Sequence, residues 1–292
     1  MAERFRFNTR GGRIFDVLNV AMLTGVGLVA LIPFVYVFAG SLATDAEITT
    51  RPFFLWPHTV TTESYQAILT SSSFLRAFIT TILVTFFGTI IQLGLTVLAA
   101  YPLSKINLPF RRTMLSLIVF TMVFSAGMIP TFLIVKDLGL LNTYWALVLP
   151  LAINPFNLII IKNFFQDLPA ELEESARIDG ASELRVLWSV VLPLSKPVLA
   201  TFGLFYAVAI WNDYTSPLLY LSDQSLWTLQ MVLRQVTAAT GLSGEQWDSV
   251  VPPPAQGIKY AVIVVATIPV LIAYPFLQRH FAKGMLIGSV KG

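Results

Sequence analysis

Two segments of this chain gather most of the side chains that could do chemistry. The first reads Asp167-Leu168-Pro169-Ala170-Glu171-Leu172-Glu173-Glu174-Ser175-Ala176-Arg177-Ile178-Asp179-Gly180, with Glu183 and Arg185 just beyond. The clustered carboxylates Glu171, Glu173, Glu174, Asp179 and Glu183 could serve as an acid–base pair or hold calcium. On a solvated helix with arginines interleaved, they read instead as a docking face. The second segment is Trp211-Asn212-Asp213-Tyr214, an amide and a carboxylate between aromatic rings inside an apolar stretch. Other chemistries lack material. There is no cysteine, which removes disulfides, thiolate metal sites and cysteine nucleophiles. The two histidines, His58 and His280, stand far apart, and no metal site is expected. No G-x-x-x-x-G-K-[ST] loop is present, so the chain is not expected to bind a nucleotide by itself.

The elements that must position these groups are membrane helices. Of 292 residues, 55% are hydrophobic and 12% charged, about half the charge of a soluble domain. A spanning helix needs about 20 mainly apolar residues. Six stretches qualify: 17–39, 78–100, 114–135, 144–161, 198–221 and 258–277. The expected fold class is therefore all-α, a polytopic membrane protein with six transmembrane helices and a single domain over 1–292. The fourth stretch contains Pro150, Asn154, Pro155 and Asn157 and should be kinked. The first stretch is too long for an ordinary signal peptide and reads as an anchor.

Basic residues set the orientation. With a cytoplasmic N-terminus, the inner face collects Arg4, Arg6, Arg10 and Arg13, then Lys105, Arg111 and Arg112, then Lys162, Arg177, Arg185 and Lys196, then Arg279, Lys283 and Lys291. That leaves Arg51, Arg76, Lys136, Arg234 and Lys259 outside. Both termini are then cytoplasmic. The net charge of +3 comes from this pattern and gives no reason to expect nucleic acid. Residues 162–196 form the only long inner loop. Residues 41–76 and 222–257 form outer loops, the latter with Gly241, Gly244 and Pro252-Pro253-Pro254.

Within the inner loop, Pro169 suits a first helical turn and the early glutamates complement the helix dipole. Gly180 can take the left-handed conformation that ends the helix. Ser182 can cap a second short helix, stopped by Pro193. Ser175 and Ala176 would turn a small-residue face to a partner groove.

This loop resembles the EAA loop of ABC importer permeases: Glu-Ala-Ala, three residues, Gly, nine residues, Ile-x-Leu-Pro. Here Glu174-Ser175-Ala176 precedes Gly180, and nine residues later comes Val190-Val191-Leu192-Pro193. Ser175 replaces Ala and Val190 replaces Ile. The resemblance extends over nearly the whole chain to the six-span permease of carbohydrate importers such as the maltose system. It is carried by Ala100-Tyr101-Pro102-Leu103-Ser104, Gly127-Met128-Ile129-Pro130, the Trp211 tetrad and the tail from Gln278 to Gly284. The run from Leu138 to Trp145 and Ile161-Lys162-Asn163-Phe164-Phe165 are most similar to the polysaccharide and oligouronate branch, which includes alginate importers.

The resemblance implies a type I importer permease fold in a bacterial inner membrane. It implies an ABC ATPase dimer that binds MgATP, a second permease subunit, an extracytoplasmic solute-binding protein and a carbohydrate substrate. Glu174, Ser175, Ala176, Asp179, Gly180, Leu192 and Pro193 would form the ATPase-coupling surface. For the substrate path the residues are Trp211, Asn212, Asp213 and Tyr214, with Asn154 and Asn157. Polar groups inside a membrane are costly and usually functional, and sugars offer hydroxyls to Asn and Asp and C–H faces to rings. The alternative for the tetrad is a structural kink with Asp213 paired to a neighbouring helix. For Asn154 and Asn157 it is hydrogen bonding between helices. Tyr220 and Trp227 suit an interfacial aromatic belt. The outer loop 222–257 either reaches the binding protein or is a plain connector. A secondary carrier would need coupling acids within the spans, where Asp213 stands alone. An intramembrane enzyme would need a nucleophile or acid pair that is missing.

Overall fold

The computed structural model describes residues 10–238 and 256–288, and among these every regular element is helical. The first helix, α1 (Arg10–Ser41), is followed by short α2 (Asp45–Thr50) and α3 (Glu63–Thr70), then long α4 (Ser72–Ser104). Next, α5 (Arg111–Val123) and α6 (Met128–Asp137) meet at 115°. Four-residue α7 (Trp145–Val148) precedes α8 (Pro155–Gln166) and α9 (Ala170–Ile178). Then α10 (Glu183–Val186) runs through a π-helical stretch, Leu187–Val191, into α11 (Leu192–Leu194). This run bends by 86° into α12 (Lys196–Asn212), which leads to α13 (Thr215–Tyr220), α14 (Leu229–Ala238) and α15 (Gln256–Gly288).

Helices α1, α4 and α15 each contain a long, predominantly apolar stretch, the composition of a helix that faces lipid or a fully buried core. Three helical stretches are long and apolar enough to cross a membrane, Ile14–Ser41, Ser72–Ser104 and Gln256–Ala273. The bent pairs α5–α6 and α10–α12 would bring the number to five if each is one span. From Ile14 to Val35 the apolar side chains of α1 are exposed on every side, as lipid contact requires.

The chain divides into two compact units, residues 1–70 with 236–265 and residues 71–235 with 266–292. In the first, Ala39, Ala43, Ile48 and Phe54 form a small core with Tyr260 packed on it. Tyr36 stacks on Phe53 at 5.8 Å and meets Tyr260 edge-on at 5.7 Å. The Glu47 carboxylate accepts hydrogen bonds from the His58 N–H, at 2.9 and 3.1 Å, and pairs with Arg51, tying down loop 51–59. The His58 amide, the largest influence, holds the Glu47 carboxyl below its ordinary range.

In the second unit α4 is the spine. Its lower half packs Val97, Ala100, Tyr101 and Leu103 against α8 (Leu158, Ile161, Phe165), the π-helical stretch (Leu187, Val191) and Phe202 of α12. Its upper half joins Val84 to Val135, α7 and Tyr220. A β-carbon at Gly88 would lie 2.9 Å from Ile210 Cδ1, so glycine permits the close approach of α4 and α12.

The 144–161 stretch is a full interruption rather than a kink. Asn154 caps α8, its side-chain oxygen accepting from the Phe156 and Asn157 amides at 3.0 and 3.2 Å, and Pro155 occupies the first turn. The freed backbone finds partners on other helices. Gln92 Nε2 donates to the Val148 carbonyl at 3.2 Å, and the Asn154 amide donates to the Tyr206 hydroxyl at 3.2 Å. Non-helical backbone at membrane depth is tolerated only with such satisfaction.

Candidate coupling loop and substrate path

Helix α9 begins with Pro169 at its N-cap position, one residue outside the expected first turn. Its end is a Schellman turn. The Ala181 amide donates to the Ala176 carbonyl at 3.0 Å, the Gly180 amide donates to the Arg177 carbonyl at 3.0 Å, and Gly180 has φ +82°. Gly180 therefore has the expected left-handed conformation. No neighbour crowds it, so backbone strain alone restricts substitution there.

The faces of α9 differ from the expectation in two places. Ala176 is only partly exposed; it and Ala181 pack on the core cluster that includes Val186, Leu187 and Val191. Glu173 is not part of a solvated cluster. It is 7% exposed and pairs with Lys105 at the end of α4 and with Arg177 at 3.2 Å. The outward face carries Leu172, Glu174, Ser175, Ile178 and Asp179. Ile178 is 87% exposed, the most exposed large apolar side chain among the described residues.

Ser182 takes the cap position of α10 but makes no side-chain cap bond. The helical run also does not stop at Pro193. The Leu192 amide donates back to the Leu187 carbonyl, an i to i−5 step, and the run passes through Pro193 to Leu194. A π-turn widens the ladder just where proline removes a donor. Val186, Leu187 and Val191 are buried, while Leu184 and Trp188, one turn apart, are 62% and 67% exposed. Leu192 is half-buried and Pro193 exposed. The exposed apolar residues Ile178, Leu184 and Trp188 extend the candidate docking surface beyond the motif. The i, i+4 spacing of Leu184 and Trp188 was the available signal for two of them.

Glu183 accepts hydrogen bonds from Arg177 Nε at 2.8 Å and from the Tyr101 hydroxyl at 2.8 Å. The Arg177 bond, then the Tyr101 bond, hold its carboxyl below the ordinary range. A depressed carboxyl contributes at neutral pH and is lost only as pH falls through its lowered value.

The second candidate region splits in two. Trp211 is 5% exposed, donates from Nε1 to the Ala266 carbonyl at 3.1 Å, and stands edge-on to Phe78. Asp213 is half-buried and accepts from the Thr215 and Ser216 amides at 2.9 and 3.1 Å, which starts α13 after the break. Asn212 and Tyr214 are exposed. The Arg234 guanidinium lies 5.0 Å from the centre of the Tyr214 ring, a cation–π contact. Asn154 is exposed and committed to its cap, and Asn157 is buried. Tyr220 is buried and stacks on Phe132, so it is a core residue of this chain rather than part of an outer belt. Part of the outer loop 222–257 is α14, whose Leu229 and Met231 are buried. The tract with Gly241, Gly244 and Pro252-Pro253-Pro254, and the chain ends before residue 10 and after 288, lie outside the described residues.

Comparisons with known proteins cover this whole architecture. Residues 92–287 match the family model described as "Binding-protein-dependent transport system inner membrane component". Protein LplC of Bacillus subtilis (strain 168) is 58% identical over 287 residues, 98% of this chain and 97% of the relative. The polygalacturonan/rhamnogalacturonan transport system permease protein YtcP of the same organism is 50% identical over 96% of this chain and 99% of the relative. A crystal structure of a bacterial ABC transporter involved in importing the acidic polysaccharide alginate superposes with TM-score 0.87 at 36% identity, covering 94% of this chain and 99% of that one. The match takes in α9 with its glycine turn, the π-turn and the break after Trp211, and the chain belongs to the family of inner-membrane components of binding-protein-dependent transport systems.

Proposed function

We propose that this chain is one of two permease subunits of an ATP-driven importer that moves an acidic oligosaccharide or polysaccharide fragment into the cytoplasm. The observation that carries the reading is the outward face of α9, a rigid capped helix presenting Leu172, Glu174, Ser175 and Ile178 at the end of a membrane bundle. A short helix with an apolar anchor fits a groove on another protein. That partner is the ABC ATPase dimer, which binds MgATP; this chain binds none. Closure of the ATPase dimer moves the docked helix as a rigid body, and packed helices follow. Both termini and residues 162–196 are cytoplasmic, as the basic residues direct. A second, distinct permease completes the channel, and an extracytoplasmic binding protein delivers the sugar.

In this reading Asn212 and Tyr214 are the path-facing members of their tetrad, while Trp211 and Asp213 hold the break that displays them. The Tyr214 ring suits the C–H face of a sugar, and Arg234 supplies a cation for a uronate carboxylate. The acidic substrate is further supported by two relatives whose names specify polygalacturonan and alginate.

The test is reconstitution of the complete complex in liposomes with labelled oligogalacturonates, alginate fragments and neutral malto-oligosaccharides. The expected result is ATP-dependent uptake of acidic fragments that requires the binding protein. Uptake by this chain alone, without ATP, contradicts the reading.

A further inference from the structure

Tyr101, Lys105, Glu173, Arg177 and Glu183 make one connected cluster. Lys105 pairs with Glu173 across 68 residues of sequence, and Tyr101 donates to Glu183 across 82. Arg177 bridges the two acids, reaching Glu173 at 3.2 Å and Glu183 at 2.8 Å. The Lys105 ammonium also lies 4.3 Å from the centre of the Tyr101 ring. Two cations face two carboxylates, so the cluster is neutral while its parts are charged. Removing Lys105 leaves the largely buried Glu173 with Arg177 as its remaining partner and breaks the link from that acid to α4.

The placement matters more than the pairing. Helix α9 continues along the chain into α10 and, through the 86° bend, into α12. Nothing in the covalent chain joins it directly to α4. The cluster supplies that join, because Tyr101 lies in the last turn of α4 and Lys105 caps it. Helix α4 then packs along α8 and α12 up to Gly88 and Gln92, beside Ile210 and the Val148 carbonyl.

We propose that this cluster is a clasp that fastens the coupling helix to α4, making α4 a receiver of the ATPase stroke alongside α12. The proposal rests on the reading of α9 as the ATPase-docking helix. Lys105, Glu173 and Glu183 are then positioning residues whose loss separates ATP hydrolysis from transport.

The test uses the complete transporter in liposomes. This chain lacks cysteine, so Leu98→Cys, on an exposed position of α4, is spin-labelled at one site in the purified chain before assembly with its unlabelled partners. In the otherwise unchanged chain the label spectrum responds to ATP. Lys105→Met keeps the ATPase bound and hydrolysing within about twofold. It abolishes the label response and lowers uptake per ATP about tenfold or more, and Lys105→Arg restores both. Glu183→Gln, a milder change at a half-exposed side chain, lowers uptake per ATP in the same direction. The clasp is rejected if Lys105→Met leaves the label response or uptake per ATP unchanged. It is rejected too if ATPase binding is lost equally in Lys105→Met and Lys105→Arg, which marks a merely structural pair. Failure of the docking reading looks different: Ile178→Cys then forms no cross-link to the ATPase, and the Leu98 label is silent even with Lys105 intact.

Discussion

Single residues of the Trp211 tetrad differ in how much of each side chain the fold covers. Trp211 and Asp213 stand two apart with similar credentials as path residues, yet both are engaged, one on the Ala266 carbonyl and one on the Thr215 and Ser216 amides. Their neighbours Asn212 and Tyr214 are exposed, with the Asn212 amide donating to the Val208 carbonyl at 2.9 Å and the Tyr214 ring under Arg234. A tetrad written in one dimension could not separate them, because the separating facts are a carbonyl 55 residues away and a break in a helix. The Asp213-x-Thr215 spacing was a local hint of a turn. Trp211→Ala is expected to destabilise the detergent-solubilised chain by about 3–5 kcal/mol, read as a lowered Tm. Tyr214→Ala is expected to leave Tm and assembly nearly unchanged while reducing sugar-stimulated ATP hydrolysis several-fold. Lys105 and Glu173 escaped the sequence for the same reason as Trp211: each looks like an ordinary surface charge until a distant partner is in view.

Helical elements were legible where local rules decide them. Glycine is the residue that tolerates a left-handed helix end, and Gly180 has φ +82°. The same rule makes a graded prediction. Gly180→Asn, a residue that visits this region, should keep most uptake, whereas Gly180→Val should lose it. The strain is about 1–2 kcal/mol, and it falls on the helix end that must hold its direction. Equal uptake in the two variants would show that the turn is not needed. Elements were misread where distant groups change the local outcome. Pro193 looked like a stop, but a π-turn absorbs its missing donor. The 144–161 stretch looked like a kinked span, but Asn154 caps a new helix while Gln92 and Tyr206 satisfy the open backbone. A proline in a sequence signals a lost hydrogen bond; where the replacement comes from is tertiary information.

At the scale of the whole molecule, composition alone pointed to a membrane protein, and the basic residues predict its orientation. Both compact units are proposed to serve one permease domain, with the second unit carrying the coupling loop and the Trp211 break. What transport demands of that unit is mechanical: a surface that a partner can grip and a stiff connection from that surface into the bundle. The proposed surface is the outward face of α9, with the highly exposed Ile178 at the end of the helix. The most direct measurement places a single cysteine at Ile178 in this cysteine-free chain and follows it in sealed vesicles of known orientation. The expected result is labelling only from the cytoplasmic side, with a cross-link to the ATPase subunit whose yield changes with ATP. Labelling from the outer side, or no cross-link to the ATPase in an assembled and active complex, would contradict the account.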